Sequence, residues 1–332
     1  MLAFKKNSAT LQLGGLNISL DGCGETSFIS HAHSDHSAGA KNAKGIISSE
    51  ETLDLILSRE WHSDTLKKKR IEKIDGAKIE LFNAGHVLGS RQLHVENSVS
   101  FTYTSDFKLR DSLTQKAAEV KDAELLLMEC TYGLPSFSFP SNEETYDEIS
   151  KWVSFEMAAG NSLVLGGYAL GKAQELVKLL NTYLKITPVV TNPIYQICKT
   201  YDKHGVKLSA LNETSEEGKE TLQKQFVAIV PHHHANLRLA SHLSKFYNKP
   251  VKSAVATGWA ISGRTPNAHK TFCLSDHADF KQLLEYAERS NAKKIICMHG
   301  YSEEFSSELR KRGYDACAIE DMAEKAQQKL LC

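Results

Sequence analysis

The chain has 332 residues, with 40 Lys plus Arg set against 40 Asp plus Glu. That length exceeds what most single hydrophobic cores fill, so two lobes, or one core carrying a large insertion, are expected. A formal charge of zero excludes global attraction to a polyanion and leaves any nucleic-acid contact to a local groove, and no apolar run approaches the roughly 18 residues of a membrane span.

The first residues, Met1-Leu2-Ala3-Phe4-Lys5-Lys6, hold no sustained apolar run, so no signal peptide is expected. Leu16, Ile18 and Leu20 alternate with polar residues and predict a strand, which Asp21-Gly22 turns into a second strand carrying Phe28 and Ile29. Directly after it comes His31-Ala32-His33-Ser34-Asp35-His36, four potential metal ligands in six residues. In an extended segment His31 and His33 point to one side, while Asp35 and His36 can turn toward a neighbouring point. That suits two metal ions roughly 3.5–4 Å apart, the usual arrangement for hydrolysing phosphate esters. Imidazoles mixed with carboxylates are what zinc prefers.

Ser48 and Glu51 form a capping-box pattern ahead of a helix whose apolar side is Leu53, Leu55 and Ile56. The run Lys67-Lys68-Lys69-Arg70 reads first as a solvated face and second as a phosphate contact. A strand from Ile79 to Phe82 ends at Gly85-His86-Val87-Leu88-Gly89, where glycines let the chain turn tightly beside a histidine. Strands from Phe101 to Thr104 and from Leu125 to Met128 deliver Asp106 and Glu129 at their ends. A polar residue able to bind metal or move a proton thus stands at the end of strand after strand, as it does where strand ends converge on an active site.

From Leu134 helices alternate with short apolar strands, which predicts a parallel α/β lobe over 134–268. Within it, His232-His233-His234 reads as an exposed loop or a metal-binding tract. Beyond 268 the pattern of the first lobe returns: Leu274-Ser275-Asp276-His277 precedes a helix, a strand from Lys294 to Met298 ends at His299-Gly300, and Tyr301 to Cys332 is expected to be mostly helical. The seven cysteines are scattered, odd in number and without a C-x-x-C pair, which predicts reduced thiols and a cytoplasmic setting.

Taken singly, His86 also suits a turn, Asp106 an N-cap or Asx-turn, Glu129 a surface ion pair and His277 a capping region. Taken together in order, His31, His33, Asp35, His36, His86, Asp106 and His299 make the chain resemble the metallo-β-lactamase superfamily. Glu129 in Met-Glu-Cys-Thr-Tyr-Gly, His277 in Leu-Ser-Asp-His-Ala-Asp-Phe and His299 in Met-His-Gly are similar to the three extra motifs of the β-CASP nucleases. Gly167 to Leu176 is similar to a phrase in the cap of the cleavage and polyadenylation nuclease. The run Thr131 to Pro135 and the phrase Ala256 to Trp259 resemble short archaeal messenger-RNA 3′-end processing factor-like proteins and DNA-ligase-associated exonucleases.

The resemblance implies an α/β architecture: a four-layer αββα sandwich over 1–133 and 269–332, with an inserted β-CASP-like cap at 134–268. It implies two zinc ions, with manganese as the alternative. His31, His33 and His86 would hold one, Asp35, His36 and His299 the other, and Asp106 would bridge them. The implied activity is hydrolysis of single-stranded RNA or DNA, in RNA processing or DNA repair, by a metal-bound hydroxide. Asp35 belongs to the catalytic set as well as to the ligands; His277 is the general acid and Glu129 orients it. Lys172, Arg264 and Ser275, with Lys199 beside them, are the candidate substrate contacts. A processing or repair protein is the expected partner, and no membrane. Two other functions fit less well: hydrolysis of a small ester or thioester, and a non-catalytic subunit of a processing complex.

Overall fold

The computed structural model describes residues 2–5, 8–59, 65–71, 78–263 and 267–322. They form a mixed α/β protein with three sheets and divide into two compact units. One takes the described residues of 1–111, 116–138 and 277–332; the other takes 112–115 and 139–276.

The first unit holds two sheets. One orders the strands Leu2–Lys5, Ser8–Leu13, Leu16–Leu20, Thr26–Phe28 and Gly45–Ile47. The other orders Ala316–Ala318, Lys294–Met298, Leu125–Glu129, Phe101–Tyr103, Arg91–Glu96 and Lys78–Asn83. Alternation along the strands explains how the sheets meet: Leu11, Ile18, Leu20 and Phe28 of the first pack against Leu93, Tyr103, Leu127 and Ile296 of the second in one buried cluster. The opposite face of the second sheet, through Leu126, Met128, Ile295 and Cys297, packs on Leu283, Tyr286 and Ala287 of the helix Phe280–Arg289 and on Phe305 and Leu309 of the helix Ser302–Lys311.

Strand direction in this second sheet positions the chemistry. Phe101–Tyr103, Leu125–Glu129 and Lys294–Met298 run parallel, and Lys78–Asn83 shares their direction because two antiparallel pairings separate it from Phe101–Tyr103. The C-terminal ends of all four therefore lie along one edge of the sheet. His86, Asp106, Glu129 and His299 stand at or just beyond those ends.

The second unit is built on six strands paired entirely in parallel, in the order Leu211–Asn212, Val189–Val190, Val227–Pro231, Ser162–Gly167, Val251–Ala256 and Lys270–Phe272. Leu163, Leu165 and Ile229 pack to one face, Val164, Ala228 and Val255 to the other. Both faces are covered, as an all-parallel sheet requires.

Two local readings of the sequence are corrected, the cap of one helix and the C-terminal segment. The helix Glu50–Ser58 is capped by Ser49, whose side chain accepts the Thr52 amide, and not by Ser48, whose hydroxyl donates to the Ile29 carbonyl. The second compact unit runs past 268 to Asp276, with Lys270–Phe272 paired to Val251–Ala256. Within the expected C-terminal helical segment, Ala316–Ala318 is an edge strand on Ile295–Cys297. Strands of three residues are too short to show a period.

Candidate metal centre

Backbone conformation, before any side chain, marks this edge as unusual. Six non-glycine residues among those described adopt positive φ, and three of them are Asp21 (49°), Ser105 (50°) and His299 (63°). The left-handed region is costly for side-chain-bearing residues, by about 1–3 kcal/mol, and such conformations gather at functional sites. Ser105 turns the chain so that Asp106 faces the histidines. Gly85, next to His86, has φ +70° and its missing Cβ would stand 2.5 Å from the Lys108 carbonyl oxygen, so no larger residue fits that turn.

Around Asp106 the imidazoles converge. His33 Nδ1 lies 3.0 Å from His31 Nε2 and 3.1 Å from His86 Nε2. The Asp106 Oδ2 atom stands 3.6 Å from His31 Nε2, 3.4 Å from His36 Nε2 and 3.8 Å from His86 Nε2. Ligand nitrogens around a tetrahedral ion, with metal–nitrogen bonds of about 2.0–2.1 Å, are about 3.3 Å apart, so His31, His33, His86 and Asp106 fit one divalent ion. Beside them, His36 Nε2 lies 3.8 Å from Asp35 Oδ2, and the His36 and His299 rings are 5.7 Å apart between centroids. His299 Nε2 is buried without a hydrogen-bond partner among the described residues. An unpaired buried polar atom costs about 1–3 kcal/mol, which a coordinated cation would offset. The donor set thus fits metal, with the first four ligands converging more tightly than Asp35, whose side chain is 78% exposed.

His277 completes the ring of imidazoles. Its Nδ1 faces Glu129 at 3.0 Å and 3.2 Å, and its Nε2 points inward, 3.9 Å from Asp106 Oδ2. Glu129 also accepts the Phe107 amide at 2.9 Å and the Thr131 amide at 3.3 Å. Burial works to raise the Glu129 pKa, but the facing His277 charge and these donors outweigh it and hold the carboxyl below its usual range. Burial and the surrounding imidazoles lower His31 far below the ordinary histidine value, which favours the neutral, ligating form. For His36 burial acts downward too, yet the Asp106 and Asp21 carboxylates raise it to about 10.

Asp21 is the residue that sequence reasoning missed. Read from the sequence as half of a turn, it is a buried carboxylate that takes the Ser30 amide and hydroxyl at 2.7 and 2.6 Å, the Tyr103 hydroxyl at 2.9 Å, the Ser105 hydroxyl at 3.1 Å and His36 Nδ1 at 2.9 Å. Its contact with His36 fixes which ring nitrogen points inward, the usual service of a carboxylate behind a metal-binding histidine. Asp21→Asn should therefore weaken metal affinity about 10–100-fold. Competition with a chromogenic chelator measures this, and an unchanged affinity would reduce Asp21 to a structural residue.

The candidate substrate contacts fare differently. Lys172 is buried, with its Nζ 2.8 Å from the buried Asp276 carboxylate, so it is committed inside the second unit and is not an exposed phosphate ligand. Ser275 is buried as well. Lys199 is exposed and lies over the Tyr195 ring at 5.1 Å. Arg264 lies outside the described residues. The His232-His233-His234 triplet forms no metal-binding cluster among the described residues.

No family model matches the chain. It is 31% identical over 312 residues to a probable DNA ligase of Opitutus terrae, an alignment covering 88% of this chain and 28% of that protein. It is 33% identical over 123 residues to the transcription termination factor FttA of a Lokiarchaeum species, covering 36% of this chain and 19% of that protein. It is 25% identical over 211 residues to an RNase J-like protein of Methanocaldococcus jannaschii, covering 55% and 50%. The chain thus spans between about a fifth and a half of the length of these relatives. Histidines and carboxylates in this order, gathered at one sheet edge, and likenesses across this set of proteins place the chain in the β-CASP nuclease group of the metallo-β-lactamase superfamily.

Proposed function

We propose that the protein is a zinc-dependent phosphodiesterase that hydrolyses single-stranded RNA or DNA, in RNA processing or DNA repair. The observation that carries this reading is the convergence of His31, His33, His86 and Asp106 with the His277–Glu129 pair on their inner side. His31, His33 and His86 would hold one ion, Asp35, His36 and His299 a second, and Asp106 would face both. Such ions, when bound, supply Lewis acidity toward a phosphoryl oxygen and an activated water near neutral pH. The fold belonging to this reading is the four-layer αββα sandwich with an inserted cap. A cytoplasmic setting is proposed from the six free cysteines of the described residues.

The protein's own groups account for the proton that must reach the leaving oxygen. The Glu129 carboxylate accepts from His277 Nδ1–H, which fixes the ring and favours its imidazolium. His277 Nε2–H then faces the site and donates its proton as the phosphorus–oxygen bond breaks. Asp21 holds the His36 ring, and the donors on Asp21 hold Asp21 in turn.

The test is incubation of metal-loaded protein with labelled single-stranded RNA, single-stranded DNA, a chromogenic phosphodiester and a thioester, each with and without chelator. Cleavage of a nucleic acid and of the phosphodiester, abolished by chelator and restored by zinc, is the expected result. Thioester hydrolysis without phosphodiester hydrolysis would overturn the reading, and so would activity indifferent to chelation.

A further inference from the structure

The zero net charge conceals an asymmetry. Between Glu220 and Asp276 the chain has no acidic residue at all, yet it has five lysines and two arginines. A stretch of that length without a carboxylate is far from the average of the chain, where acids and bases are equal in number. Such local excess of one sign is the electrostatic footprint of a polyanion-binding surface.

The helix Leu237–Tyr247 shows how the structure uses it. Ala240, with Leu239, Leu243 and Tyr247, packs the helix onto Val164, Phe226 and Val255 of the second unit's core. With that side turned inward, positions 238, 241, 242 and 245 fall three and four residues apart on the outer side. They are Arg238, Ser241, His242 and Lys245, all exposed, and together with the exposed His234 they line a groove of ≈ 620 Å³. Neither Arg238 nor Lys245 forms an ion pair with any described residue. On an ordinary protein surface such cations meet acidic neighbours at helical spacing, as Lys151 meets Asp147 and Arg289 meets Glu285 elsewhere in this chain. One turn beyond His242 stands Phe246, 69% exposed, its ring edge-on to Tyr247 at 4.8 Å.

Cations without counter-charges, imidazole donors and a bare aromatic ring along one helix are the parts of a single-strand platform. Lysine and arginine meet phosphates, and the ring face stacks a base without regard to its identity. An acidic protein segment would use the charges but has no need of a ring 69% open to solvent. We infer that the outer stripe Arg238, His242, Lys245 and Phe246 of the second unit is a binding surface for single-stranded nucleic acid. The choice of partner rests on the nuclease reading of that centre. This stripe offers a local answer to how a chain of zero net charge engages a polyanion.

The experiment uses the full chain and a homopolymer single strand, DNA and RNA in turn, with affinity measured across a salt series. Arg238→Gln with Lys245→Gln should weaken binding about tenfold and lower the slope of log K against log salt by about 1.4, two phosphates at about 0.7 each. Phe246→Ala should weaken single-strand binding about tenfold and leave duplex binding unchanged. All three side chains are exposed, so unchanged circular dichroism is expected and is measured alongside. Turnover of a small chromogenic phosphodiester should equal that of the parent protein in each variant. An unchanged affinity and salt slope overturn the inference, as does equal displacement of the strand by poly-glutamate, which would make the stripe a dock for acidic protein. The two readings fail separately. Binding that depends on the stripe in a protein that hydrolyses no phosphodiester supports the surface and overturns the nuclease, whereas normal hydrolysis with an unaltered salt slope does the reverse.

Discussion

Asp106→Ala should lose metal and activity together. Its Oδ2 atom stands within 3.4–3.9 Å of a ring nitrogen of His31, His36, His86 and His277, so it faces four of the site's imidazoles at once. Removing it leaves the proposed ligand set with Asp35 as its one remaining carboxylate, and that side chain is largely in solvent. Divalent ions held by neutral imidazoles alone lose the charge compensation that a buried carboxylate provides. The loss should exceed the about 10–100-fold that follows removal of an outer-shell partner such as Asp21. Metal analysis of the purified variant should fall from about two ions per chain to under one, with phosphodiester hydrolysis at background. A variant with full metal content would remove Asp106 from the ligand set and with it the proposed two-ion arrangement.

The parts of this site that could be read from sequence are those crowded into a short segment or placed at the end of an apolar strand. His31, His33, Asp35 and His36 are close in sequence, and Glu129 follows four apolar residues directly. Asp21 was illegible because its role consists of contacts with residues 9, 15, 82 and 84 positions away, and in the sequence it stands before a glycine like any turn residue. The burial of Lys172 was illegible for the same reason. Its partner Asp276 lies 104 positions away, and a lysine in a sequence gives no sign of being buried in an ion pair. The strands of the fold were legible where five or six residues alternate or stay apolar. Lys270–Phe272 and Ala316–Ala318 exist because neighbouring strands supply hydrogen-bonding partners, a cause that acts through space and leaves no periodic trace. The acid-free stretch after Glu220 was legible in principle, but a zero total charge hides it until the chain is divided.

His277→Gln distinguishes an acid from a ligand at the same spot. Asp106, Glu129 and His277 are close enough to form a metal-binding group of their own, so the geometry alone admits either role for this ring. The proposal takes it as the acid: Glu129 faces Nδ1 and turns Nε2 into the site, as it would for a proton donor or a ligand alike, but the ring is more open than its neighbours around Asp106, 20% exposed against 0–7% for His31, His36 and His86. Glutamine keeps a polar side chain but cannot donate a proton to an alkoxide. Turnover of nucleic acid should drop about 10²–10⁴-fold, the usual worth of general acid catalysis, with metal content unchanged. The drop should shrink toward unity on a nitrophenyl phosphodiester, whose leaving group is stable as an anion and needs no proton. Glu129→Gln should show the same dependence on the leaving group with a smaller loss, because the ring remains and only its orientation and charge are disturbed. If His277→Gln loses metal as Asp106→Ala does, His277 is a ligand and the proton must come from elsewhere. If turnover falls equally on both substrates with metal retained, the ring positions the substrate and does not protonate it.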